Sequence, residues 1–162
     1  MPAGPTYAPI ASVTLASGTT SIIFDNIPQT YTDLVIVFSM AQADGYVLAR
    51  FNNDSGSNYS RTNLFYNTSV TGSGTGLNET ASYPECHTST VGNSTTTWDI
   101  LNYSATTMKT GYINYKNQPG AAAMITTSYR STTPITSISF TTPSASNILT
   151  GSTINIYGIA RA

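Results

Sequence analysis

Short apolar runs recur along the chain about every ten to fifteen residues, separated by clusters of Gly, Pro, Asn, Asp and Ser. That spacing is characteristic of an all-β sandwich or barrel. It predicts strands over Ile10–Leu15, Ser21–Ile27, Asp33–Met40, Tyr46–Phe51, Thr62–Tyr66, Thr96–Tyr103, Lys109–Tyr115, Ala123–Tyr129, Ile135–Thr142 and Ser152–Ile159. No window carries the i, i+3, i+4, i+7 recurrence of an amphipathic helix. The expected fold class is therefore all-β, an antiparallel β-sandwich.

Alternation assigns faces within several strands, because successive side chains of a strand point to opposite sides. Val47, Ala49 and Phe51 are expected to face the core, with Leu48, Arg50 and Asn52 turned away. Trp98 and Ile100 share one face, as do Ile138 and Phe140. The run Leu34–Phe38 is apolar on both faces, which marks a central strand or one covered by a neighbouring subunit. Pro28 and Pro134 stand where strands must end or begin. Two stretches do not read as strand. Asn52–Ser60 is a polar turn, and 67–92 reads as a long, variable-looking connection carrying Thr71-Gly72-Ser73-Gly74-Thr75-Gly76.

Composition sharpens this picture. At 162 residues the chain is sized for one domain, 1–162, able to bury about two-thirds of its unfolded surface. Charged residues are only 8 % of it, against about 25 % in an ordinary soluble domain. Ser and Thr together supply about 30 %, and Tyr occurs 11 times. Tyr and the β-branched residues favour a pleated, half-buried surface. The net charge of −1, with its basic residues scattered singly, gives no electrostatic footprint for nucleic acid or an anionic membrane. No apolar run approaches a membrane span, and the opening Met1–Pro5 lacks the features of a secretory signal. So uncharged a surface is poorly defended against association, a hint that much of it is covered in an assembly.

Candidate chemistry is sparse. His87 is the only histidine and adjoins Cys86, the only cysteine. Neighbours on an extended strand point apart, whereas Cys–His catalysis needs convergence. One Cys and one His cannot close a zinc site. The seven acids, Asp25, Asp33, Asp44, Asp54, Glu79, Glu85 and Asp99, include no motif announcing a glycosidase pair. The turn Asn52–Asn58 places oxygen-bearing side chains around Gly56 but offers one acid, so Asx-turn chemistry explains it as well as calcium does. Six N-x-Ser/Thr sequons start at Asn53, Asn58, Asn67, Asn78, Asn93 and Asn102, several of which this composition produces by chance. Tyr59, Phe65, Tyr66 and Tyr83 are the candidate interaction residues, either as a sugar-stacking platform or as strand and subunit-interface residues. Neither enzymatic activity, cofactor nor metal is expected.

The framing segments resemble a family of small virion proteins of tailed phages, especially those of cyanobacteria and marine bacteria. The resemblance rests on Tyr7–Leu15, on Ile23-Phe24-x-x-Ile27-Pro28-x-x-Tyr31-Thr32-Asp33-Leu34-Val35-Ile36, on Arg50-Phe51-Asn52-x-Asp54-Ser55-Gly56-x-Asn58-Tyr59-Ser60, on Ile135–Ile138 and on the closing Gly151–Ile159. The middle, Thr62–Asn102, matches only in style. The resemblance implies a β-sandwich or jelly-roll-like unit that decorates or cements a capsid, or sits on a tail. The implied partners are the major capsid protein and copies of the chain itself, in a homo-oligomer expected to be a trimer, with the virion as location. The alternative is a tail or baseplate module that binds a receptor or a host surface glycan.

Overall fold

In a computed structural model, the described residues are 6–40, 46–67, 70–84, 94–117, 120–142 and 147–160. They form eleven strands and no helix: β1 (Ala8–Thr14), β2 (Ser21–Phe24), β3 (Asp33–Met40), β4 (Leu48–Phe51), β5 (Tyr59–Asn67), β6 (Val70–Glu79), β7 (Ser94–Leu101), β8 (Lys109–Asn117), β9 (Ala122–Tyr129), β10 (Ile138–Thr141) and β11 (Thr153–Ile159). All pairings are antiparallel. One sheet has eight strands in the order β1-β11-β3-β7-β8-β9-β5-β6, and the other has three in the order β2-β10-β4. The expected antiparallel sandwich therefore forms, with layers of very unequal width.

The core lies between the layers. Leu34, Ile36 and Phe38 of β3, Trp98 and Ile100 of β7, and Ile154 and Ile156 of β11 face Ile22, Ala49, Phe51, Ile138 and Phe140 of the small sheet. The rings of Phe38 and Phe140 meet edge to face at 5.1 Å, and those of Phe51 and Trp98 lie 5.4 Å apart. Such cross-layer aromatic contacts add to area burial. The faces assigned to β4, β7 and β10 are those observed. Strand β3 is interior to its sheet, between β11 and β7, which is why even the outward Val35 is buried.

Strand β6 corrects the reading of 67–92 as a connection: Val70–Glu79 form a ten-residue strand paired with β5. Its glycines misled the pattern. Gly72, Gly74 and Gly76 all point to the inner face, opposite Phe65, Asn63 and Arg61. A Cβ at Gly72 would stand 2.7 Å from the Phe65 ring, and one at Gly74 2.7 Å from Asn63 Oδ1. Phe65 and Asn63 thus lie over the glycine backbone and occupy the space that β6 side chains would take, an aromatic or polar cover for edge glycines. After β6 the chain crosses to the small sheet, where Ser82 and Ala49 exchange two backbone hydrogen bonds of 2.8 Å.

The polar turn is shorter than its sequence implied, since β5 already begins at Tyr59. Asn52 and Asn53 both adopt left-handed φ (52° and 56°), and Asp54 N–H donates to Phe51 C=O at 2.9 Å. Positive φ at both central positions is the tight type I′ geometry that Asn tolerates best among side-chain-bearing residues, and here it carries the chain from the small sheet to the large one. Cys86, His87, Glu85, Asp44 and Met1–Pro5 lie outside the described residues.

Candidate functional site

The sequence-derived aromatics do not assemble into one platform. Tyr59 is 1 % exposed and belongs to the core, a correction to its reading as a surface residue. It stacks on Tyr129 at 4.9 Å, and its hydroxyl receives the Phe51 N–H and donates to Asp54 C=O, both at 3.0 Å. Its position beside a polar turn disguised this, because the turn ends one residue earlier. Phe65 and Tyr66 are consecutive on β5 and take opposite faces: Phe65 covers Gly72 on the inner side, and Tyr66 projects outward. Tyr83, half-buried beyond β6, packs on Tyr46 at 5.5 Å and carries the Arg61 guanidinium 4.3 Å above its ring.

The turn 52–58 is a structural device. The Asp54 carboxylate accepts hydrogen bonds from Gly56 N–H at 2.7 Å, Asn58 Nδ2 at 2.8 Å and the Tyr129 hydroxyl at 2.9 Å. Burial alone raises the Asp54 pKa, but these donors outweigh it and hold the carboxyl below its ordinary value. Both carboxylate oxygens already serve protein donors, the Asx-turn chemistry considered for this segment. Burial, with Asp54 alongside, pushes the Tyr129 hydroxyl up to about 12. Two other acids sense one another: burial, with the Asp33 carboxylate, raises Asp99 above the usual range. Asp33 is itself buried and accepts the Asn102 N–H at 2.7 Å, fixing the left-handed turn after β7. Lys109 is buried at 1 % exposure, and its Nζ donates to the Thr133 and Ser131 carbonyls at 2.6 and 3.4 Å, closing the far loop.

What the structure adds is a surface that the sequence did not show. Over β6, β5, β9 and β8 the outer face of the large sheet falls into two halves. Toward the β5–β6 turn, Leu64 stands directly opposite Met124, with Tyr66 one pair further on. Leu64 is 62 % exposed and Met124 67 %. Lys116, across β9 from Tyr66, is the charged residue of this half. Toward the other end the face sinks into an open groove of about 290 Å³. Its floor carries Ser60 and Thr62 of β5 with Ser128 and Thr126 of β9, and Tyr112 and Leu77 stand as its walls.

Apart from Tyr66, these residues escaped sequence reading because each sits at an ordinary strand alternation. Only the pairing Leu64–Met124, fixed by a register between strands about sixty residues apart, makes a patch of them. No family model matches the chain, and no curated protein sequence matches it.

Proposed function

We propose that this chain is a non-enzymatic structural protein of a phage virion, a capsid decoration or cement protein that bridges shell subunits. The observation that carries the reading is the apolar half of the outer sheet face, Leu64, Met124 and Tyr66. Contiguous exposed apolar side chains mark association surfaces on soluble proteins, and the composition supplies few charges elsewhere to oppose contact. The resemblance of the framing motifs to those of small virion proteins supports the same reading. Its mechanism is mass action: a subunit that binds only the assembled shell stabilises that state in proportion to the logarithm of its free concentration over its Kd.

The test strips the protein from particles and restores either wild-type chain or a Leu64→Asp/Met124→Asp variant. Wild-type chain raises the thermal midpoint of the particles and the variant does not, while the isolated variant unfolds like wild type. Unchanged particle stability with wild-type chain refutes the cementing role. A second reading, a glycan-binding module of a tail or baseplate, has the groove between Tyr112 and Leu77 in its favour. Hundreds of copies per particle favour decoration, and a few dozen favour the tail.

A further inference from the structure

We infer that the groove between Tyr112 and Leu77 is a binding site for a neutral saccharide. This inference stands on the groove itself and holds for a shell protein and a tail module alike. The four floor residues, Ser60, Thr62, Thr126 and Ser128, alternate outward from the interior strands β5 and β9. Backbone groups there are committed to the ladder, so the floor offers a ligand hydroxyls rather than peptide edges. Ser60 Oγ and Ser128 Oγ lie 2.7 Å apart and share one hydrogen bond, which leaves one of their two protons and several lone pairs directed to the groove. Thr126 Oγ1 lies 3.4 Å from the Thr62 carbonyl, too long for a strong bond, and is ready to exchange it.

The walls supply the complementary chemistry. Tyr112 is 53 % exposed and Leu77 73 %, so an aromatic ring and an aliphatic side chain face each other across a hydroxylated floor. A pyranose has this dual character, with a C–H face for the aromatic wall and equatorial hydroxyls for the floor. An alkyl chain would strand the floor hydroxyls without partners. A charged ligand finds no match either. Arg61 is held by Glu79 at 3.3 Å and by the Tyr83 ring, and Asp99, the cross-strand neighbour of Tyr112, opposes anions. Unpaired peptide is disfavoured because the strands lining the groove already use their backbone groups. The volume of about 290 Å³ fits one ring with its substituents and leaves the open ends for a longer chain.

The experiment is a chemical-shift titration of the intact, isotope-labelled protein with methyl glucopyranoside, methyl galactopyranoside and N-acetylglucosamine, with glucuronate and octanoate as charged and alkyl probes. At least one neutral sugar is expected to shift the amides of Thr62, Thr126 and Tyr112 with millimolar Kd. Tyr112→Ala weakens that binding about tenfold or more, and Thr126→Val weakens it several-fold. Met124→Ser, in the apolar half, leaves it unchanged. Each variant is first shown to unfold at the wild-type denaturant midpoint. The inference is overturned if no neutral sugar shifts these amides up to about 50 mM, if glucuronate or octanoate binds there more tightly, or if Tyr112→Ala binds as well as wild type. Because Leu64 and Met124 lie outside the groove, failure here leaves the particle-stability result standing, and the reverse also holds.

Discussion

Replacing Asp54 by Ala removes the acceptor of three hydrogen bonds at once, and the structure sets the size of the loss. Gly56 N–H and Asn58 Nδ2 sit in an exposed turn where water replaces the lost carboxylate, so each contributes about 0.5 kcal/mol. The Tyr129 hydroxyl is different, because its residue is buried against Tyr59 and Phe51; losing its charged acceptor, with Ser131 and Tyr59 left as neutral partners, costs about 1 kcal/mol. The half-exposed carboxylate adds little charge stabilisation beyond these bonds, since solvent screens it. The total is about 2 kcal/mol at neutral pH. Urea unfolding followed by fluorescence reads it directly, because Trp98 is the only tryptophan and lies 5.4 Å from Phe51 in the same cluster. Tyr129→Phe should lose only its share, about 1 kcal/mol, and the double variant should cost less than the two singles combined. The pH dependence has a definite sign. Folding lowers the Asp54 pKa from 3.8, so the unfolded chain binds more protons and the stabilisation is complete above that value. It is lost as pH falls through the lower folded value. The cost of Asp54→Ala therefore shrinks as pH falls below 3.8 and through the lowered folded value. A variant as stable as wild type at pH 7, or a cost that stays constant into acid, would refute the reasoning.

Three further outcomes follow from described geometry. Gly111→Ala places a Cβ 2.6 Å from the Asp99 carbonyl and 2.7 Å from Trp98 Nε1, so β7 and β8 must part; a loss of about 2 kcal/mol in urea is expected, whereas Gly18→Ala, whose nearest neighbour is a side-chain carbon at 3.3 Å, should be close to neutral. Above pH 10 the fold weakens: burial raises the hydroxyls of Tyr59, Tyr103 and Tyr129, so the folded state retains protons that the unfolded chain releases. Tyr129→Phe should flatten the fall between about pH 10 and 12 in a thermal-midpoint series. Calcium at about 5 mM, ample for a weak loop site, should leave the thermal midpoint unmoved, since the Asp54 oxygens are engaged by Gly56, Asn58 and Tyr129.

Much of the scaffold was legible because one sheet face is buried along most strands. Alternation in β4, β7 and β10 named the core side chains, and the doubly apolar β3 identified an interior strand. Local pattern failed where a strand's partner does the packing. Nothing in Gly72-Ser73-Gly74-Thr75-Gly76 reveals that Phe65 and Asn63 lie over it, so a strand passed for a linker. Tyr59 failed for a related reason: that the turn ends at Asn58, one residue before it, was invisible, and its hydroxyl is satisfied by groups that only the folded turn brings near. The outer face is legible only after register is known, because Leu64 and Met124 each look like an isolated exposed residue until β5 and β9 are aligned.

The glycine-faced strand has one more consequence. No described side chain of β6 is buried, and the strand hydrogen-bonds to β5 alone. Its detachment would forfeit one ladder of backbone bonds, the Phe65 contact over Gly72 and the links of Glu79 to Arg61 and Asn78 to Arg130, yet leave the layer of Phe38, Trp98 and Phe140 intact. Local opening of such a unit takes far less free energy than global unfolding. Strand β6 is thus a wing that the rest of the fold tolerates losing, and its outward Thr71, Ser73 and Thr75 can drift through evolution, or be redesigned for a new contact, without endangering the core beside them.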